Sequence, residues 1–102
     1  MTPEDFNKLL RERVDKIFLT LDSKGVEYAT DADRLHNFKV AAQIDGETPA
    51  QALWGMFKKH LVSLKDMKDG VTPLSKELID EKCGDTVNYV ILLEAIFIEC
   101  LD

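Results

Sequence analysis

All three prolines of this chain follow threonine, at Thr2-Pro3, Thr48-Pro49 and Thr72-Pro73. No other feature constrains the fold as tightly. A threonine hydroxyl accepts a hydrogen bond from the exposed N–H groups of a first helical turn, and proline fits that turn because its missing donor is not needed there. Gln51 stands three residues after Thr48 and completes a capping box, and Asp5 makes a weaker version after Thr2. Thr30 with Asp33 marks a further start without proline. Gly25, Gly46 and Gly70 fall where the first three helices should stop, since glycine readily takes the left-handed conformation that ends a helix. This punctuation predicts helices near residues 3–24, 31–44, 49–69 and 73–100.

The apolar periodicity agrees. Phe6, Leu10, Val14, Ile17 and Leu21 form one stripe, Leu35, Phe38, Ala41 and Ala42 a second, and Ala50, Leu53, Trp54, Phe57, Leu61 and Leu64 a third. No segment alternates with period two for long enough to make a strand. The expected fold class is all-α, a four-helix bundle-like arrangement in a single domain over residues 1–102. Residues 87 to 98 are apolar nearly all round, more than one small bundle needs, so a two-fold dimer interface is expected there.

Apolar residues make up 45% of the chain, enough for a core and too much for a disordered polymer. Residues 1 to 20 are charged throughout and do not read as a signal peptide. The run Val90 to Ile98 is too short to span a bilayer and contains Glu94. A soluble, cytoplasmic protein is expected, with no membrane partner. Cys83 and Cys100 lie about 25 Å apart along one helix by helical rise, beyond disulfide reach, and read as free thiols.

The net charge of −6 argues against a broad nucleic-acid footprint, which requires a basic face. The charge is unevenly spread. Lys58, Lys59, Lys65 and Lys68 make the third helix basic, while the last carries Glu77, Asp80, Glu81, Asp85, Glu94 and Glu99. Two explanations stand side by side: the helices pair through these charges, or the lysines and a metal-bearing helix together bind phosphate.

Glu81, Asp85 and Asn88 are spaced i, i+4, i+7 and share one helix face. Oxygen donors of this kind suit Mg²⁺, which takes few protein ligands and keeps several waters. The alternative is an acidic stripe paired with Lys82 or a neighbouring lysine. His60 falls on the apolar side of the third helix, as a hydrogen-bonded core residue or as a catalyst, with Lys59 and Ser63 at the edge of that face. The polar stretch from Glu27 to Phe38 brings Tyr28, Asp33, Arg34 and Asn37 to the start of the second helix. There Asp33 serves as a cap or a site residue, and Arg34 pairs with Asp31 or binds phosphate. Glu94, within the apolar run, calls for a partner, such as a cation across a dimer.

Tyr28, Asp33-Arg34-Leu35, Asn37-Phe38, Leu53-Trp54-Gly55-Met56, Lys59-His60, Ser63, Glu81-Lys82-Cys83-Gly84-Asp85 and Asn88-Tyr89 together resemble a family of small phage and prophage helical proteins, similar to the phage nucleotide-modification-associated domain. The pattern covers residues 27 to 94. More distantly, the chain resembles the MazG-like and dimeric dUTPase-like all-α nucleoside triphosphate pyrophosphohydrolases. Their second acidic motif, Glu-Glu-Leu-Gly-Asp, looks like Glu81-Lys82-Cys83-Gly84-Asp85, with Lys82 in place of the second glutamate. Their first pair, Glu-x-x-Glu, has no counterpart: the corresponding helix offers Lys59-His60-Leu61-Val62-Ser63.

The acidic face and the resemblance together imply a phage-type, dimeric protein that binds a nucleotide or another phosphate-bearing small molecule. Mg²⁺ would be held by Glu81 and Asp85. Lys59 and His60 would be the catalytic candidates, with Tyr28, Asp33, Arg34, Asn37 and Asn88 contacting substrate. If catalytic, the reaction would be hydrolysis of a nucleoside triphosphate to monophosphate and pyrophosphate. The alternative is a non-catalytic helical interaction module, in which the same polar groups form a buried network that sets helix register.

Overall fold

The computed structural model describes residues 1–28 and 33–101, with side chains described for 1–22 and 33–101. Four helices follow in order: α1 (Pro3–Tyr28), α2 (His36–Asp45), α3 (Pro49–Lys68) and α4 (Lys76–Glu99). The described residues are all-helical apart from turns and connections.

The local signals at Thr2, Thr48, Gly46 and Gly70 are realised. The Thr2 hydroxyl accepts from the Asp5 N–H at 3.0 Å. At α3 the Thr48 side chain accepts from the Gln51 N–H while Gln51 accepts from the Thr48 N–H, a complete capping box. Gly46 ends α2 in the left-handed region at φ 66°, and its own and the following N–H close on the Gln43 and Ala42 carbonyls.

Three expected boundaries move. Helix α1 runs through Gly25 to Tyr28, because a glycine inside a helix weakens it without obliging it to stop. Helix α2 begins at His36, not near residue 31. Asp33 folds its carboxylate onto the Leu35 N–H at 2.9 Å, which turns residues 33–35 before the helix starts. The proposed cap at Thr30 lies outside the described residues. Helix α4 begins after Ser75, whose hydroxyl accepts from the Leu78 N–H at 3.1 Å. The N–H groups of Val71 and Thr72 are instead used to close the end of α3 on the Asp66 carbonyl.

The core joins α2, α3 and α4. Leu35, Phe38, Leu53, Phe57 and Ile96 form one buried cluster, with Tyr89, Leu92 and Leu93 packed against it. Leu53 is completely buried. Trp54 and Phe57 meet at 5.6 Å between ring centres, and Phe57 stacks on Tyr89 at 5.8 Å. These contacts hold α3 against α4 through apolar surface. The expected charge pairing of α3 with α4 is not what joins them. Lys65 and Lys68 instead turn to Asp69 at the end of their own helix, while Asp80 of α4 takes Arg13 and Lys16 of α1. Those two cations, Lys16 first, hold the Asp80 carboxyl below its ordinary value.

Helix α1 packs chiefly on α4 and only through part of its length. Ile17 and Leu21 are half-buried, whereas Phe6, Leu10 and Val14 of the same stripe stay exposed. The radius of gyration is 15.6 Å, against roughly 13 Å for a compact chain of about 100 residues. The arrangement is therefore a three-helix core with a longer helix laid along one side, less compact than the expected bundle. Much of the apolar surface of α4 is also exposed, at Val90, Phe97 and Ile98. No helix of the described residues is long and apolar enough to cross a membrane.

Lys39 ties the turn before α2 to the end of α4, contacting Asp33 at 2.7 Å and also the Glu99 carboxylate. Asp33 is held below its ordinary value by the Lys39 ammonium and then by the Leu35 N–H. Lys39 is raised, first by Asp33 and then by Glu99. The signs set the pH response. Asp33, lowered in the fold, contributes above its unfolded value of 3.8 and loses that contribution as pH falls through the folded value. Lys39, raised, contributes below 10.5 and loses it as pH rises through the folded value. Lys39→Met should therefore lower the thermal midpoint slightly across neutral pH, with the difference from the native chain vanishing at both pH extremes. A difference that is constant from pH 2 to 12 would show that the ion pairs do not cause it.

Candidate functional site

The expected site residues sort into those gathered at one cleft and those left elsewhere. Arg34, Asn37, Asp85 and Asn88 converge on a cleft of about 370 Å³ whose wall is completed by Phe38, Met56, Tyr89 and Leu92. All four helical segments contribute, α1 through Thr20 and Leu21. A second, smaller hollow of about 230 Å³ lies between α1 and α4, lined by Arg13, Lys16, Asp80, Glu81 and Gly84. Thr20, Asp85 and Asn88 border both spaces. The two are therefore adjoining parts of one groove, a wide apolar end and a charged mouth.

Helical geometry explains why α4 supplies the dividing wall. Asp85 and Asn88 are three residues apart and Glu81 lies one turn before them, so all three face the same side. Asp85 is half-buried and Glu81 exposed, the latter 3.6 Å from Lys82. Asn88 is only 9% exposed, and its Oδ1 is buried with no hydrogen-bond partner.

His60 stands behind this wall. Its Nδ1 is 3.7 Å from the Asp85 carboxylate, an ion pair whenever the imidazole is protonated, and its ring lies 4.8 Å from that of Tyr89. The phenol of Tyr89 is pushed up, chiefly by burial and then by the Asp85 charge. His60 thus supports two groups that line the cleft.

The remaining candidates are placed differently. Lys59 is exposed on α3 and outside the residues lining the groove; its carbonyl accepts from Ser63. Asp33 lines a neighbouring surface hollow and is engaged by Leu35 and Lys39. Arg34 borders the cleft while its guanidinium donates to the Leu21 carbonyl at 3.0 Å, joining the connection to α1. Tyr28 lies outside the residues whose side chains are described, as does Asp31. Glu94 is exposed.

Arg13, Lys16 and Thr20 were not among the residues expected at the site. Arg13 and Thr20 alternate with Leu10 and Ile17 at helical spacing, so two polar residues interrupt an apolar stripe, and that is the signal the sequence carried. Arg13 donates to both the carboxylate and the carbonyl of Asp80, at 2.6 and 3.2 Å. It can lie there because Gly84 has no side chain: a Cβ at Gly84 would sit 2.5 Å from the guanidinium. The glycine of Glu81-Lys82-Cys83-Gly84-Asp85 thus admits an arginine from another helix.

Two cations face three carboxylates at the mouth, leaving it one unit negative. Glu81 and Asp85 supply two carboxylates on one face, enough for Mg²⁺ whose remaining positions are filled by water and by a ligand's phosphate oxygens. Among the described residues no three His, Cys, Asp or Glu side chains gather to hold a metal. Comparison with family models, curated proteins and solved structures gives no match.

Proposed function

We propose that this chain binds a nucleotide or a closely related phosphate-bearing small molecule in the groove to which all four helices contribute, together with Mg²⁺. One observation carries the reading: the pair Arg34 and Asn37 and the distant pair Asp85 and Asn88 border a single cleft of about 370 Å³ with an apolar and aromatic floor. That combination of concave apolar surface and a few convergent polar groups is what small-ligand sites use. A planar ring suits the wide end, against Tyr89, Phe38 and Met56. Phosphates suit the mouth, beside Arg13 and Lys16.

Glu81 and Asp85 would hold Mg²⁺, which when bound turns a mouth of net charge −1 into one that attracts phosphate. Hydrolysis to a monophosphate and pyrophosphate is what the distant resemblance implies, with His60 beside Asp85 the better-placed of the two catalytic candidates. The groove supports binding more directly than turnover, since only one acidic pair is present.

The test is the thermal midpoint of the full chain with and without Mg²⁺ across nucleoside mono-, di- and triphosphates, with pyrophosphate release read in the same wells. Binding raises the midpoint by mass action. A shift that needs both Mg²⁺ and a nucleotide supports the reading, and pyrophosphate release would add the enzyme. Absence of any shift would end it in favour of a helical interaction module. That second reading draws on the exposed Phe6, Leu10, Phe18 and Leu19 of α1 and Val90, Phe97 and Ile98 of α4, the α4 residues lying in the segment where the homodimer interface is expected.

A further inference from the structure

Asn88 is the one described side chain whose buried polar atom has no partner in the protein. A buried acceptor without a donor destabilises the fold, so native proteins seldom keep one without a use. A leucine of similar size would fill the same place among Phe38, Tyr89 and Leu92 without that cost. The amide borders the wide cleft as well as the mouth. The oxygen is buried in the unliganded fold, and its broad terminal torsion leaves it free to turn when a ligand enters.

What the oxygen lacks is a donor. The other polar groups of the wall are mixed: Asp85 is an acceptor when ionised, Arg34 donates to the Leu21 carbonyl, and Thr20, Asn37 and Tyr89 carry both donors and acceptors. Asp85 borders both ends, and the mouth adds Glu81 as a second carboxylate for Mg²⁺ beside Arg13 and Lys16, which are paired with Asp80. A neutral flat group carrying an N–H donor suits the orphaned oxygen, in a cleft lined also by Phe38, Met56, Tyr89 and Leu92.

We infer that Asn88 is the specificity residue of the groove: its Oδ1 accepts an N–H from the edge of a heterocyclic base seated in the wide end, with the phosphates directed toward Arg13 and Lys16. This inference rests on the nucleotide reading above and adds the orientation of the ligand and the group that reads it. It separates Asn88 from the metal, which is left to Glu81 and Asp85.

Calorimetric titration of the full chain in Mg²⁺ tests it, using AMP, GMP, CMP and UMP, each beside a counterpart in which every N–H on the pairing edge is replaced by N–CH₃. At least one parent nucleotide should bind the native chain about 10-fold to 100-fold more tightly than its methylated counterpart. Asn88→Leu should lose that preference, binding parent and counterpart alike at the weaker level. It should also melt higher, by roughly 4 to 8 °C, because the unpaired acceptor is gone. A role in helix packing alone predicts the reverse, a lower midpoint with affinity kept. Equal binding of parent and methylated ligand by the native chain would overturn the inference while leaving nucleotide binding intact, and this comparison needs no variant to fold. So would loss of Mg²⁺ binding in Asn88→Leu without nucleotide, which would make Asn88 a metal ligand. Failure of all four parents to bind the native chain would overturn both readings together.

Discussion

Leu53→Ala is expected to lower the free energy of unfolding by about 2–5 kcal/mol, the cost of deleting a buried leucine and leaving a cavity. Leu53 is completely buried at the centre of the cluster that joins α2, α3 and α4 through Leu35, Phe38, Phe57 and Ile96. A loss near the upper limit is a large share of the roughly 5–15 kcal/mol that stabilises a typical domain. It would also loosen the wall of the cleft, because Phe38 belongs to both the core and the groove. Leu10→Ala makes the matching control: Leu10 is half exposed on the unpacked part of α1 and should cost much less. Urea denaturation of both variants decides the matter. Similar losses at the two positions would mean that the core does not lie where the three helices meet.

Replacing both Glu81 and Asp85 with alanine should abolish Mg²⁺-dependent nucleotide binding while leaving the fold standing. At a ligand concentration 100 times the dissociation constant, binding stabilises the native state by about 2.7 kcal/mol, and all of that increment should disappear. The chain without ligand should be little affected. Glu81 is exposed, and two like charges one turn apart repel each other, so removing both relieves a small repulsion. Asp85 also faces His60 at 3.7 Å, and loss of that contact offsets part of the gain. The melting curve should therefore separate ligand binding from folding. A nucleotide shift of undiminished size in the double variant would remove the metal from this site and leave Arg13 and Lys16 to bind phosphate unaided.

The acidic face illustrates how far sequence reading reaches. Glu81, Asp85 and Asn88 share a side of α4 because helical spacing alone puts them there, and their place at a groove agrees with that expectation. Arg34 and Asn37 also border the cleft, although the turn at Asp33 shifted the start of their helix. Lys59 was expected at the edge of the His60 face, as a phosphate contact, yet adjacent residues on a helix point about 100° apart. His60 faces α4 while Lys59 stays exposed on α3, away from the groove.

The all-helical character of this chain was settled by its own sequence. The Thr48–Gln51 capping box, the left-handed Gly46 and the stripe from Leu53 to Phe57 act within a few residues of one another, so they operate whatever the rest of the chain does. Even the local signals competed where two caps stood close together. Ser75 caps α4, while Thr72 belongs to the turn that closes α3 on the Asp66 carbonyl. Only the tertiary structure decided that Arg13 reaches across to Asp80 over Gly84, that Thr20 borders the same hollow as Asp85 and Asn88, and that the Asn88 oxygen is left without a donor. Those contacts join residues about 65 positions apart in the chain and depend on how α1 crosses α4. That crossing is set by the fit of whole helix surfaces, which no short-range pattern encodes.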